Sequence, residues 1–352
     1  MPRRAEAAER RAVFAQAPCR ADLAGATLDL WPLYLFHPGA VTVNFALSVL
    51  TTCRITPEAG KRIHLKSLDT RREERFADLR ALCGAKSFKH PLAARLVQFF
   101  QPEGGFTLET TSESPAGAGI SGSSALMIAT TAALARYTGR RMSREEMRVI
   151  AQNVEAQLIA VPTGCQDYYP ALYGGVSAIH LDTDGIHREA LPVATEDIEA
   201  RFLLVYTGAP RASGINNWKV FKAHIDGDRK VIANFERMAQ ISRAMHDALV
   251  LGQWDEVARL LLEEWKFRKS NYRRISTPLI DRLVAVAAKN GGRAAKVCGA
   301  GGGGCVIFMV REEAKGRVAN ALRAAGARLL PFRVAREGLL VSATRTAAGA
   351  RP

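Results

Sequence analysis

Polar and apolar positions along the chain follow two different rhythms. Between residues 13 and 55, "VFAQAPCRADLAG" and "AVTVNFALSVLTTCRI" are strand-like, the second with β-branched alternation. "TPEAGKR" reads as a turn and "IHLKSL" as the returning arm of a hairpin. Residues 70–100 read as helical, interrupted near Pro91, and "GGFTLETTSE" as a short strand. The run "SALMIATTAALARYTG" is apolar all round, which predicts a buried helix closing at Gly139. Ser143 and Glu146 make a capping box that opens a helix through "MRVIAQNVEAQLIA". A Gly- and Pro-containing loop, "VPTGCQDYYPALYGG", then leads to the strand "VSAIHL".

Around residues 183–200 the chain turns polar and acidic, and a fresh strand, "RFLLVYTG", begins at Arg201. This shift sets an expected boundary near 195, dividing the 352 residues into two domains, 1–195 and 196–352. The second part has long helical patterns between 214 and 290, one of them opened by a Thr277 cap with Pro278 at its first position. "AAKVCGAGGGGCVIFMV", a helix, "ARLLPFRVA" and "GLLVSA" complete it. Strands and helices alternate throughout without an internal repeat, so the expected class is α+β.

Composition narrows the partners. Hydrophobic residues make up 48% and charged residues 24%, as in soluble globular proteins. Apolar stretches break well short of the ~18 residues of a membrane helix. The N-terminal "MPRRAEAAERRAVFAQ" lacks the apolar core of a secretory signal, so the expectation is a cytoplasmic protein with no membrane partner. Lys and Arg number 49 against 34 Asp and Glu, a net +15 that favours anionic partners. The basic residues are scattered and not interleaved with aromatics, so the expectation is no nucleic-acid partner. Six cysteines and seven histidines show no CxxC, HxxxH or HExxH spacing, and free buried thiols are expected.

One stretch stands apart: "SPAGAGISGSSAL", residues 114–126, between a strand and a helix. Glycines let a backbone approach an anion, and the free amides and dipole of a helix start attract negative charge. No Lys follows them as in the Walker pattern, so any phosphate here would be held by backbone amides. On residue chemistry alone, a phosphate cradle and a close-packing structural turn are equally good readings.

The wider pattern resembles a known family. "PAGAGISGSSA" is similar to the P-x-G-x-G-L-G-S-S-S-A signature of the GHMP kinases, the galactokinase, homoserine kinase, mevalonate kinase and phosphomevalonate kinase superfamily. It departs from that signature at Ile120 and at the swapped pair Ser121 and Gly122. "APCRADLAGATLDL" resembles the N-terminal motif, with Arg20, Gly25 and Asp29 on its Arg, Gly and Asp positions. Ala26, Thr27 and Leu28 replace the Glu-His-Thr of galactokinases. "TGCQDYYPALYGG" resembles the segment with the catalytic Asp, here Asp167, and "KVCGAGGGGCVIF" the C-terminal motif beside the nucleotide phosphates. "LLVYTGAPRASGI" and "EEWKFRKSNYRRISTPLIDRL" look most like the bacterial heptose-phosphate and fucose kinase branch.

The resemblance implies a two-domain kinase, with a ribosomal protein S5 domain 2-like N-terminal domain and a ferredoxin-like C-terminal one. It implies ATP and Mg²⁺ as cofactors and a sugar or sugar phosphate, heptose 7-phosphate-like, as acceptor. Asp167 would hold the attacking hydroxyl, supported by Arg20, although each residue also reads as an ordinary loop or surface charge. ATP phosphates would lie on Pro115, Gly117, Ala118, Gly119, Ser121, Gly122, Ser123 and Ser124, with Gly301 and Gly302 beside them. Glu155 and Ser123 would ligate Mg²⁺, with Ser124 the other choice of hydroxyl. Asp29, Gly25, Gly164 and Arg211 would meet the acceptor. Two further readings stay open: a mevalonate- or homoserine-type kinase, and an inactive relative that binds sugar and nucleotide and regulates a partner.

Overall fold

The computed structural model describes residues 11–208 and 215–344. Two sheets organise them. In the first, strand Ala12–Ala24 pairs antiparallel with the long strand Ala40–Glu58. The near end of that long strand also pairs with Val176–Asp182, and its far end with Gly105–Ser112. Both edges of the long strand are therefore used, and it is buried along most of its length, Thr42, Asn44 and Thr51 included.

The segment "IHLKSL" is a correction. Ile63–Ser67 does not return along the long strand; Gly105–Ser112 lies between them and pairs with it in parallel. Its antiparallel partner is Arg72–Phe76, within a stretch expected to be helical. That strand reads "REERF" and lies at the sheet edge, where charge is tolerated and no apolar alternation marks it. Helices Leu79–Gly84 and Pro91–Phe100 fill the rest. The polar span 183–200 likewise contains strand Gly185–Ala190 and helix Thr195–Arg201.

Helix Gly122–Tyr137 follows the Gly-rich loop and packs on the two central strands, buried on almost every side as its composition dictates. Arg144–Ile159 beside it starts with the expected capping box between Ser143 and Glu146. The second sheet is antiparallel in the order Arg328–Leu330, Phe202–Tyr206, Cys305–Val310, Gly292–Val297. Helices Arg229–Val250, Trp254–Asn271 and Pro278–Lys289 accompany it, the last opened by Thr277 as expected. One crossing escapes a division at 195: Leu340–Thr344, in the second half, pairs with the first strand and extends the first sheet. None of the six cysteines is in a disulfide; five are buried, but Cys83 is exposed, contrary to expectation. Among the described residues no helix is long and apolar enough to cross a membrane.

Candidate active site

The loop before helix Gly122–Tyr137 is shaped by its backbone. Gly117 and Gly119 have φ of 68° and 79°, and Ser121 shares the left-handed region at 61°. A Cβ on Gly122 would lie 2.9 Å from Ser114, so glycine is required there. Ser121, at the helix N-cap, donates its hydroxyl to Ile120 O at 2.6 Å and makes no side-chain cap. The first turn of the helix thus keeps its amides for another acceptor. The loop is tied to the first sheet where Arg20 N–H donates to Ile120 O at 3.0 Å.

Beyond the loop, two polar groups face one cavity of about 330 Å³. In the first, Glu155 accepts from Ser123 Oγ at 2.5 Å, Ser124 Oγ at 2.9 Å and Tyr168 OH at 2.6 Å. Burial pushes the Glu155 carboxyl up, against these bonds, which favour its charged form. The donors are all oxygen, with a single carboxylate, a set that fits Mg²⁺ in company with phosphate oxygens.

The second group is Arg20 and Asp167. Arg20 donates from Nε at 2.8 Å and from Nη2 at 2.6 Å to Asp167 Oδ1, and from Nη1 to Gly119 O at 2.9 Å. Asp167 stands at the N-cap position of the short helix Tyr168–Tyr173, an element expected to be loop, but its side chain makes no capping bond. Asp29 lies nearby and accepts from Gln166 N at 2.9 Å. Burial, with the charge of Asp167 behind it, raises the Asp29 carboxyl to about 6.

Two family models match, the GHMP kinases N terminal domain over residues 87–175 and the GHMP kinases C terminal over residues 245–328. The chain belongs to the GHMP kinases. It is 26% identical over 337 residues to D-glycero-alpha-D-manno-heptose 7-phosphate kinase of Campylobacter jejuni, covering 94% of this chain and 98% of that protein. A mevalonate kinase of Thermococcus sibiricus is 28% identical, over 67% of this chain and 69% of its own. The fold is similar to that of a D-glycero-D-manno-heptose 1-phosphate kinase from Bacteroides thetaiotaomicron, with TM-score 0.77 and 21% identity over 94% and 98% of the two chains.

In this GHMP kinase the residues singled out from sequence do not all meet. Arg20, Asp29, Pro115, Gly117, Ala118, Gly119, Ser121, Gly122, Ser123, Ser124, Glu155, Gly164 and Asp167 line the one cavity. Gly164 is there because a Cβ would lie 1.9 Å from Asp29 Oδ2. Gly25 is not in the wall: it packs on Val41 and donates its N–H to Glu264 Oε1 at 3.2 Å. Gly301 and Gly302 pack against Ile275 instead, and the cavity receives Gly299 and Ala300 from that motif. Arg211 lies outside the described residues.

A buried set of charges behind the GHMP kinase site was missed. Asp22 lies 3.6 Å from Arg20 and accepts from Lys296 Nζ at 2.5 Å, while Lys296 is 3.5 Å from Glu264. Arg268 donates to Ala26 O at 2.9 Å and to Gly299 O at 2.5 Å, and Gly299 N donates to Asp22 Oδ1 at 3.1 Å. Burial would raise Asp22, but Lys296, Arg20 and Arg268 outweigh it and hold its carboxyl below the usual range. The Glu264–Arg268 spacing is that of an exposed i,i+4 helix pair, so no local signal marks these residues as core.

Proposed function

We propose that the chain is an ATP- and Mg²⁺-dependent kinase that phosphorylates a hydroxyl of a sugar phosphate, of the heptose phosphate class. The observation that carries this reading is the convergence in one cavity of the uncapped helix start, the Ser123–Ser124–Glu155 oxygens and the Arg20–Asp167 pair. Phosphoryl transfer needs little covalent help from the protein, so positioning and charge carry most of the rate.

The amides of residues 117–124 would hold the phosphate oxygens of ATP. Ser123 and Glu155 would hold magnesium, with Ser124 and Tyr168 fixing the orientation of the carboxylate. Bound there, magnesium would supply charge neutralisation for the phosphates. Asp167 Oδ1 is taken by Arg20, which leaves the other oxygen to accept the attacking hydroxyl and align it. Arg20 would spread positive charge toward the transferring group and hold Asp167 in place through its two hydrogen bonds to Oδ1. Asp29 would accept a second hydroxyl of the acceptor. The net +15 suits an acceptor that is already anionic, and ATP as donor supports a cytoplasmic place of action.

The test is ADP release from Mg·ATP with heptose 7-phosphate, heptose 1-phosphate, fucose, galactose, mevalonate and homoserine. Turnover with a heptose phosphate that falls by about 10³ or more in Asp167→Asn is expected. Turnover only with mevalonate or homoserine would overturn the acceptor class and leave the kinase. Stabilisation by ATP with no turnover of any acceptor would instead favour a binding protein.

A further inference from the structure

Away from the cavity, three side chains from separate elements meet on one surface. His180 is on strand Val176–Asp182, Glu189 on strand Gly185–Ala190 and His246 on helix Arg229–Val250. His180 Nε2 is 2.8 Å and His246 Nε2 3.0 Å from the same atom, Glu189 Oε2. The three ligand atoms all lie within 4.8 Å of one another. Strand pairing explains half of this: Glu189 is opposite Ala178, placing it diagonal to His180 on one face of the hairpin. The helix supplies the third group.

The chemistry of the cluster is specific. Asp247 Oδ1 lies 2.8 Å from His246 Nδ1, which places that ring's proton on Nδ1 in the neutral form. The Nε2 lone pair then faces a carboxylate oxygen, an arrangement that needs either a second proton or a cation between them. A carboxylate on the far nitrogen is the outer-shell partner usual for metal-binding histidines. Two imidazoles and one carboxylate suit zinc, nickel or cobalt rather than magnesium, whose preference is for oxygen alone. Three protein ligands at a surface also leave positions for water.

We propose that His180, Glu189 and His246 bind a late first-row divalent transition metal, oriented by Asp247. The ion would clamp the Val176–Ala190 hairpin of the first sheet to the long helix of the second half, separate from the magnesium oxygens around Glu155.

Titration of the chelator-treated full chain with Co²⁺, in excess Mg²⁺, tests it by the visible d–d absorption and by the melting temperature. One equivalent should bind, with an absorption typical of four or five ligands, and raise the melting temperature. His180→Ala and His246→Ala should each weaken binding and abolish the rise; Asp247→Asn should weaken it by about 10-fold or more. His64→Ala serves as the control and should change nothing, since its Nε2 lies 3.1 Å from a single carboxylate, Glu73, with Arg75 beside it and no second histidine. Turnover with Mg·ATP should be unchanged in all four variants. Absence of saturable Co²⁺ binding would overturn the proposal. So would equal binding by the His180→Ala/His246→Ala double variant, which would point to exposed Cys83.

Discussion

Asp29 concentrates the conflict between stability and activity in one residue. Its carboxyl is almost wholly buried, receives one backbone N–H and faces Asp167. Its ordinary value of 3.8 rises to about 6 in the folded chain, so the native state binds the proton more tightly than the unfolded one. This group therefore costs stability as pH rises from about 4 through 6, and the full cost, on the order of 2–3 kcal/mol, is present at neutral pH. Asp29→Asn should therefore melt higher than the native chain at pH 7.5 and about equally at pH 4, by calorimetry. The same substitution should raise the acceptor KM, and the native acceptor KM should climb as pH falls through about 6. A lower melting temperature for Asp29→Asn at pH 7.5 would show that the buried charge is better solvated than its surroundings suggest. Ser121 and Gly122 carry a related lesson. Gly122 abuts Ser114, so the glycine cannot move, and Ser121 accepts the left-handed backbone instead.

At the scale of elements, the two Gly-rich loops form one unit. Cys305 N donates to Ala118 O at 2.6 Å, and Thr207 donates from both N and Oγ1 to Gly304 O. A Cβ on Gly304 would lie 2.5 Å from Ala118 O, at a φ of 79°. Gly304→Ala combines backbone strain with a backbone clash and should cost about 2 kcal/mol or more, with a raised KM for ATP. Gly252, with φ of 65° and open space around it, isolates the strain alone. Gly252→Ala should cost about 1 kcal/mol and leave KM untouched. Urea unfolding and initial rates on both variants separate the two contributions. Equal losses in the two would mean that the loops tolerate separation.

The buried charges hold the whole molecule together around its site. Lys296 on strand Gly292–Val297 bridges Asp22 on the first strand and Glu264 on helix Trp254–Asn271, joining elements more than two hundred residues apart in sequence. Lys296→Met would leave Asp22 without its closest partner, and breaking a buried pair in this way costs about 3–5 kcal/mol. Asp22 also sits beside Arg20, so kcat should fall in Lys296→Met while KM for ATP changes little. The double variant Asp22→Asn/Lys296→Met removes the unpaired Asp22 charge but still leaves buried Glu264 without Lys296, so it should recover part of the stability without recovering kcat. Additive losses in denaturation would show that the two residues are not coupled.

What the sequence determined is what is local. The Gly-rich loop before an all-apolar helix, the Ser143–Glu146 capping box and the Thr277–Pro278 helix start are each set by a few neighbouring residues, and each was legible. Family resemblance supplied Asp167, Glu155 and Arg20, which the fold gathers around one cavity. Tertiary structure decided the rest. The Ile63–Ser67 strand finds a parallel partner rather than a hairpin one because Gly105–Ser112 takes the long strand's free edge. Gly301 and Gly302 turn to Ile275 while Gly299 and Ala300 reach the cavity, a choice made by neighbours far off in sequence. The charges of Asp22, Glu264, Arg268 and Lys296 look like surface residues one at a time. Burial is a property of what packs over a residue, and here that cover comes from the other half of the chain.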